Sequence, residues 1–221
     1  MFYKDSHQVY RVPAFDQFDW LKHGFGTRGS ASFWGADRVA TLHQVHSDIV
    51  VRAGGLSGRI SDGDALIENT PGRLVGVKTA DCIPILMVDP RNRAVAAVHA
   101  GWRGTLSRIA QKAVQNLEGN FSSRAEDLHV AIGPGIGKCC YEVGAEVACQ
   151  FREYDQALSK LTHSAHLDLA EINRKQLIES GVPAEKIYVA GLCTLCHPED
   201  FHSYRRDRAD AGRMLSVIGL R

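Results

Sequence analysis

Two histidines and a cysteine stand out in this 221-residue sequence, each within a distinctive stretch. His46 lies in Leu42-His43-Gln44-Val45-His46-Ser47-Asp48 and Cys82 in Thr79-Ala80-Asp81-Cys82-Ile83-Pro84. His99 lies in Ala97-Val98-His99-Ala100-Gly101-Trp102-Arg103-Gly104-Thr105. Two imidazoles and a thiolate suit zinc and leave a fourth position for water or substrate, the arrangement of a catalytic metal and not a structural one. Spacing alone leaves a plainer reading open, with His99 a satisfied core histidine and Cys82 a small buried hydrophobe. His43 competes with His46, although on a regular strand it would point to the opposite face.

Other stretches carry weaker chemistry. Gly101 to Thr105 joins a strand to a helix, where free N–H groups beside Arg103 make a local anion site. Gly133-Pro134-Gly135-Ile136-Gly137-Lys138 fails both nucleotide-loop patterns: Lys138 takes the third glycine position, and Cys139 follows the lysine where Ser or Thr is needed. It reads as a tight strand-to-helix turn, with Cys139 and Cys140 structural. Cys193-Thr194-Leu195-Cys196-His197 has the haem-attachment spacing without the export signal that chemistry needs. A second zinc site from Cys193, Cys196 and His202 is the better metal reading of that loop. Arg205 and Arg206, with Asp207, suit an ion pair or an anion clamp. Asp62, Asp64 and Asp81 are candidate acids or outer partners that orient a neighbour, and Asp62 reads as a turn cap.

The elements that must position these groups are partly legible. Residues 74–79, 83–88 and 94–99 read as short buried strands, the last two joined by Asp89-Pro90-Arg91-Asn92 as an antiparallel hairpin. Cys82 and His99, seventeen positions apart, would then return to one edge of the sheet. Pro84 predicts an edge strand or a bulge beside Cys82. Leu106, Ile109, Ala110, Ala113, Val114 and Leu117 follow helical spacing, with Thr105 as N-cap and Gly119 as stop. Residues 128–132 read as a strand and 143–154 as a helix. Asp168 caps a third helix closed by Gly181 and Pro183, and strands around 187–192 and 214–220 flank the loop 193–210. The first 40 residues carry no clear pattern beyond a turn near Gly24–Ser30. The result is an α/β (α+β) layered sandwich with a mixed or antiparallel sheet.

Hydrophobic residues make up 44% and charged residues 23%, as in an ordinary soluble domain. The net charge of +1 gives no broad field for nucleic acid or an anionic membrane, so any anion must be held by local arginines. No signal peptide or membrane-spanning run is evident. A single domain over 1–221 in a reducing cytoplasm is expected, and its six cysteines then stay free to act as ligands or core filler.

These segments together resemble the YfiH/YlmD family, the laccase-domain or multicopper polyphenol oxidase-like proteins regarded as purine nucleoside phosphorylases. The resemblance runs from about Gly24 to the C-terminus. It rests on Gln44-Val45-His46, Asp64-Ala65, Ala80-Asp81-Cys82-Ile83-Pro84, His99 to Gly104, Gly133-Pro134, Cys140-Tyr141-Glu142-Val143, Cys193-Thr194, Ser203 to Asp207 and Gly212-Arg213. It implies a fold similar to that of cytotoxic necrotizing factor toxins (CNF/YfiH-like) and zinc ligands at His46, Cys82 and His99. It also implies phosphorolysis of adenosine, inosine, guanosine and methylthioadenosine, with deamination of adenosine at C6. Arg28, Arg103 and Arg205 are the phosphate and substrate contacts it suggests. The segment 29–42 is shorter than the family's usual insert, and Cys196 and His202 differ from the commonest family residues. Rival functions are a metal-free Cys–His hydrolase or deamidase, a copper polyphenol oxidase, and a binding or quality-control protein of cell-wall precursor metabolism.

Overall fold

The longest apolar runs build the centre. The strands Ile83–Asp89 and Ala94–Ala100 are buried along their whole length, as runs apolar on both faces must be when each face is covered. They form the predicted hairpin, with Ala94 opposite Asp89 and Ala100 opposite Ile83. The computed structural model describes residues 1–30, 33–34, 38–160 and 162–221. The hairpin is the middle of a six-stranded sheet ordered Ile187–Val189, His129–Ile132, Ile83–Asp89, Ala94–Ala100, Ala65–Glu68, Val50–Arg52. A seven-stranded sheet packs on one face, ordered Tyr3–Lys4, Tyr10–Arg11, Leu21–Phe25, Met214–Leu220, Leu74–Thr79, Val39–His43, Gly58–Asp62. Both sheets mix antiparallel and parallel pairs.

Two cores follow from this layering. Between the sheets lie Leu66, Leu86, Val88, Val95 and Ala97 from one side and Phe25, Leu42, Val75, Val77 and Ile218 from the other. On the far face, Ile85, Met87, Ala96 and Val98 pack under the helices Ile109–Phe121 and Leu169–Glu179. Alanines at 94, 96 and 100 let the first helix lie close to the sheet. Each fully buried Leu or Ile side chain contributes roughly 1.5–3 kcal/mol. The described residues thus form a mixed α/β sandwich of two large sheets and a helical layer, with a small two-stranded ribbon, Glu142–Val143 against Ala165–His166. No helix among the described residues is long and apolar enough to cross a membrane.

Several local expectations are corrected. Pro84 lies on an interior strand and not at an edge. Its carbonyl accepts from Gly133 N at 2.8 Å, just beyond the last pair, Ile132 with Ile85, so the ladder ends where the proline has no N–H to give. The helix over 105–117 is two helices, Trp102–Leu106 and Ile109–Phe121, separated at Arg108, whose φ is +60°. Thr105 is no cap but a buried residue, and its hydroxyl accepts from Asn173 Nδ2. Gly119 is inside the second helix, which ends at Ser122 in the left-handed region. The stretch 143–154 is a strand, Glu142–Val143, a single helical turn, Ala145–Ala148, and a tighter turn, Cys149–Phe151. Asp168 does cap the Leu169–Glu179 helix, accepting from Glu171 N at 2.9 Å. Residues 31, 32 and 35–37 of the short 29–42 segment lie outside the described residues.

Candidate active site

The two sheets meet the solvent at one end of the sandwich, where a corner, a strand end and a loop converge. Ala80 to Cys82 forms the corner that carries the chain from Leu74–Thr79 in one sheet to Ile83–Asp89 in the other. His99 is near the end of Ala94–Ala100, opposite Pro84. His46 sits in the loop after Val39–His43, which is tied back by Gln44: its side-chain amide exchanges two hydrogen bonds with the Lys78 backbone.

The structure brings His46, Cys82 and His99 together. One donor atom from each lies within 4.8 Å of the others, a group that could hold a metal ion. Cys82 Sγ is 3.9 Å from His46 Nε2. Gly101 makes this approach possible, because a Cβ there would be 3.1 Å from both Cys82 Sγ and the His46 ring. His43 stays outside the group, exposed and paired with Asp62 at 3.0 Å. The reason is not strand alternation: His46 lies off the strand, at φ +59°.

Asp64 organises the group. It is fully buried, and its carboxylate accepts from His99 Nδ1 at 2.7 Å, His46 N at 3.1 Å, and Ser47 N and Oγ at 2.6 and 2.7 Å. The bond to Nδ1 turns His99 Nε2 towards the other two donors, as carboxylates do behind metal-binding histidines. The bond to His46 N helps hold that residue in the left-handed conformation a non-glycine rarely takes. Burial acts to raise the Asp64 pKa, but the His99 and Ser47 hydrogen bonds outweigh it and leave it at about 2. Burial likewise acts to lower His99, and the bonds to Asp64 and Cys82 bring it up to about 9. For Cys82, burial acts upward and is overcome by the two imidazoles, giving about 6. Near neutrality the metal-free group therefore holds a thiolate beside an imidazolium. Two imidazoles, one of them oriented from behind, and a ready thiolate fit a tetrahedral zinc with one open position.

Asp81, next to Cys82, has φ +86° and accepts from Thr194 Oγ1 at 2.6 Å, Ser203 Oγ at 3.0 Å and Arg205 N at 2.6 Å. Its carboxylate pins the corner that presents Cys82 to two distant loops. Sequence reading missed Thr194 and Ser203 in this role, although both lie in the motifs it singled out.

The group lies in the wall of a cavity of about 680 Å³. Cations crowd its walls: Arg59, Lys78, Arg103, Arg205, Arg208 and Arg213. Arg103 and Arg205 thus border the cavity as expected, Arg103 over the Trp102 ring and Arg205 over Tyr141. Arg28 is not among the lining residues; it bonds Pro198 O and begins the tight turn Arg28–Ser30. Arg59, Lys78, Arg208 and Arg213 supply charge that local motif reading did not assign. Arg206 turns away into a two-bond ion pair with Asp207, so the arginine pair divides into one clamp and one structural partner. Burial raises the Tyr141 phenol to about 12, with the Cys82 charge adding to it, so it stays a neutral donor.

The remaining cysteines do not meet His202. Cys193 and Cys196 are grouped with Cys139 and Cys140, while the backbone N of His202 donates to Met214 Sδ and its ring packs over Gly212.

The family described as multi-copper polyphenol oxidoreductase laccase matches most of this chain. The chain belongs to that family, matching it over residues 28–221. It is 44% identical over 187 residues to a purine nucleoside phosphorylase of Deinococcus radiodurans, a match covering 84% of this chain and 71% of the relative. It is 38% identical over 161 residues to adenosine deaminase RL5 of an unknown prokaryotic organism, covering 70% of this chain and 61% of the relative. The chain thus spans about six-tenths to seven-tenths of these relatives' lengths. Among solved structures, the hypothetical protein YfiH of Bacillus licheniformis superposes with a TM-score of 0.87 at 28% identity, covering 100% of this chain and 99% of the other. YlmD of Geobacillus stearothermophilus gives 0.86 at 29%, covering 100% and 98%.

Proposed function

We propose that this chain is a zinc-dependent purine nucleoside phosphorylase that also deaminates adenosine. The observation that carries the reading is the meeting of His46, Cys82 and His99 in the wall of a cavity lined by cations and aromatic rings. The names of the relatives support the substrate class. Bound by those three residues, zinc would polarise water or substrate as a Lewis acid.

The chain's own residues do the rest. A phosphate oxygen bonds to C1′ of the sugar while the C1′–N9 bond breaks and its electron pair passes to the purine. Arg103 and Arg205 hold the phosphate, and the other wall cations offset the charge that develops. Trp102 and Tyr141 border the space for the base, and the Tyr141 hydroxyl can donate to the purine without ionising. In deamination, water oxygen bonds to C6 and the amine leaves as ammonia. Adenosine, inosine, guanosine and methylthioadenosine are the proposed substrates. The protein acts as one domain in the cytoplasm, without nucleic acid or membrane as partner, in keeping with its near-zero net charge.

Copper oxidase chemistry of the multi-copper kind needs more imidazole donors than this group has. A metal-free Cys–His hydrolase is the second reading, favoured by the thiolate–imidazolium pair backed by Asp64. One experiment separates them: metal analysis paired with a phosphate-dependent nucleoside assay that follows base and sugar 1-phosphate. His99→Ala is expected to lose the bound metal of this group and both activities. Full phosphorolysis in metal-free protein, or rapid inactivation of metal-free protein by thiol alkylation with ester or amide turnover, would overturn the proposal.

A further inference from the structure

A second cluster lies outside the cavity, where two loops cross. Cys139 and Cys140 follow the glycine-rich loop 133–138, and Cys193 and Cys196 come from the loop after Ile187–Val189. Their four sulfurs all lie within 4.8 Å of one another. Cys196 Sγ is 3.7 Å from Cys139 Sγ and 3.4 Å from Cys140 Sγ. A tetrahedral ion about 2.3 Å from each sulfur would set the sulfurs roughly 3.8 Å apart. The cluster is already close to that shape.

Three details point the same way. The N–H of Gly137 donates to Cys193 Sγ at 3.3 Å, and those of Leu195 and Cys196 face the same sulfur. Backbone donors converging on one sulfur favour a thiolate over a thiol. Gly137 keeps space clear, since a Cβ there would be 3.2 Å from Cys193 Cβ and 3.3 Å from Cys139 Sγ. His197, the nearest imidazole in sequence, is turned to Cys193 O at 2.9 Å and takes no place among the sulfurs.

We propose that Cys139, Cys140, Cys193 and Cys196 form a second metal site, a closed tetrathiolate that holds one zinc ion. Binding replaces the thiol protons, which pass to solvent, with four sulfur–metal bonds. With four protein donors there is no open position, so the ion is structural. What it fastens is specific. Gly135 bridges Cys193, Thr194 N donates to Gly135 O at 3.0 Å, and Ile136 N donates to Asp81 O at 2.8 Å. Thr194 also bonds the Asp81 carboxylate beside Cys82, and Tyr141, next to Cys140, borders the cavity. The ion would clamp the two loops that hold the Cys82 corner, at a distance from the chemistry.

Metal content and cobalt spectra of the full chain, purified without oxygen, test this directly. Two zinc equivalents per chain are expected in the native protein, and one in each of His99→Ala and the double variant Cys139→Ser/Cys196→Ser. The double variant should also melt roughly 10 °C lower, whereas Cys149→Ser, a cysteine outside the cluster, should not. Should the double variant fail to fold, the cobalt-loaded native protein decides. Four thiolates give an intense near-ultraviolet charge-transfer band that the single thiolate of Cys82 cannot match, and His99→Ala should keep it. One zinc equivalent in the native protein with a cobalt spectrum of a single thiolate overturns the site. So does a Cys140–Cys196 disulfide recovered in place of metal, and iron at the four sulfurs overturns the choice of ion.

Discussion

The three-donor group at the cavity and the four-thiol cluster beside it are built from opposite materials. The first mixes two imidazoles with one thiol, draws them from a loop, a corner and a strand end, and backs them with a buried carboxylate. The second is all sulfur, drawn from two loops, and backed by backbone N–H groups. With a metal bound as proposed, the first would leave a coordination position towards a cavity lined by cations, and the second would fill all four with protein. The difference teaches that the carboxylate behind a histidine and the amides behind a cysteine do the same work of fixing a donor, while the donor count decides whether a metal can do chemistry.

That contrast can be broken most sharply at Asp64. Asn at this position keeps the shape but cannot hold the His99 ring by charge, so affinity at the three-donor group should fall by about 10–100-fold. The four-thiol cluster should be untouched. Chelator competition on each site reads this out, and equal loss at both would mean that the two sites are not independent. A smaller effect is expected from paired glycine substitutions. Gly101→Ala crowds Cys82 and His46, and Gly137→Ala crowds Cys139 and Cys193; each should weaken its own site by roughly 10-fold, about 1.4 kcal/mol, and leave the other unchanged. Titrating metal into each variant measures the selectivity, and a crossed effect would blur the comparison.

The smallest effect is a predicted flatness. In metal-free protein, His99 is raised to about 9, so its stabilisation is full below about pH 6.5 and is lost as pH climbs through 9. Cys82 is lowered to about 6, so its stabilisation is present above about pH 8.5 and is lost as pH falls through 6. The two slopes cancel between about pH 6.5 and 8.5, because folding only moves a proton from sulfur to imidazole. Denaturant unfolding of chelated protein across that range should show almost no pH slope from this pair. A slope near 1.4 kcal/mol per pH unit would mean that only one of the two is shifted. Below pH 4 the Asp64 contribution should fade as its value of about 2 is approached.

Much of the site was readable because its chemistry is local. The hairpin of Ile83–Asp89 and Ala94–Ala100, with its Asp89–Asn92 turn, follows from two apolar runs and a turn signal, and it sets His99 opposite Pro84, two positions from the level of Cys82. The strand Met214–Leu220 and the Asp168-capped helix were equally plain. Pro84 misled because proline rules concern the hydrogen bond that is lost, and here the neighbouring strand ends before that bond is needed. The break at Arg108 has no sequence signal, since an apolar helical period continues through it. His202 was a plausible partner for Cys193 and Cys196 by proximity in sequence. The actual partners, Cys139 and Cys140, lie more than fifty residues earlier and are brought up by the Gly135–Cys193 bridge.

The sequence by itself determined the donor types, the apolar strands that Cys82 precedes and His99 lies on, and the near-neutral charge that leaves anion binding to local arginines. Only the tertiary structure decided that Asp64 stands behind His99, that Asp81 pins the Cys82 corner, and that Arg28 lies outside the cavity lining while Lys78 and Arg213 line it. It alone gathered four thiols from two distant loops. The reason is physical. Residue type and period fix which groups can bond and which faces must be buried, but contacts between sheets and between loops depend on how the packed layers bring remote segments to one edge.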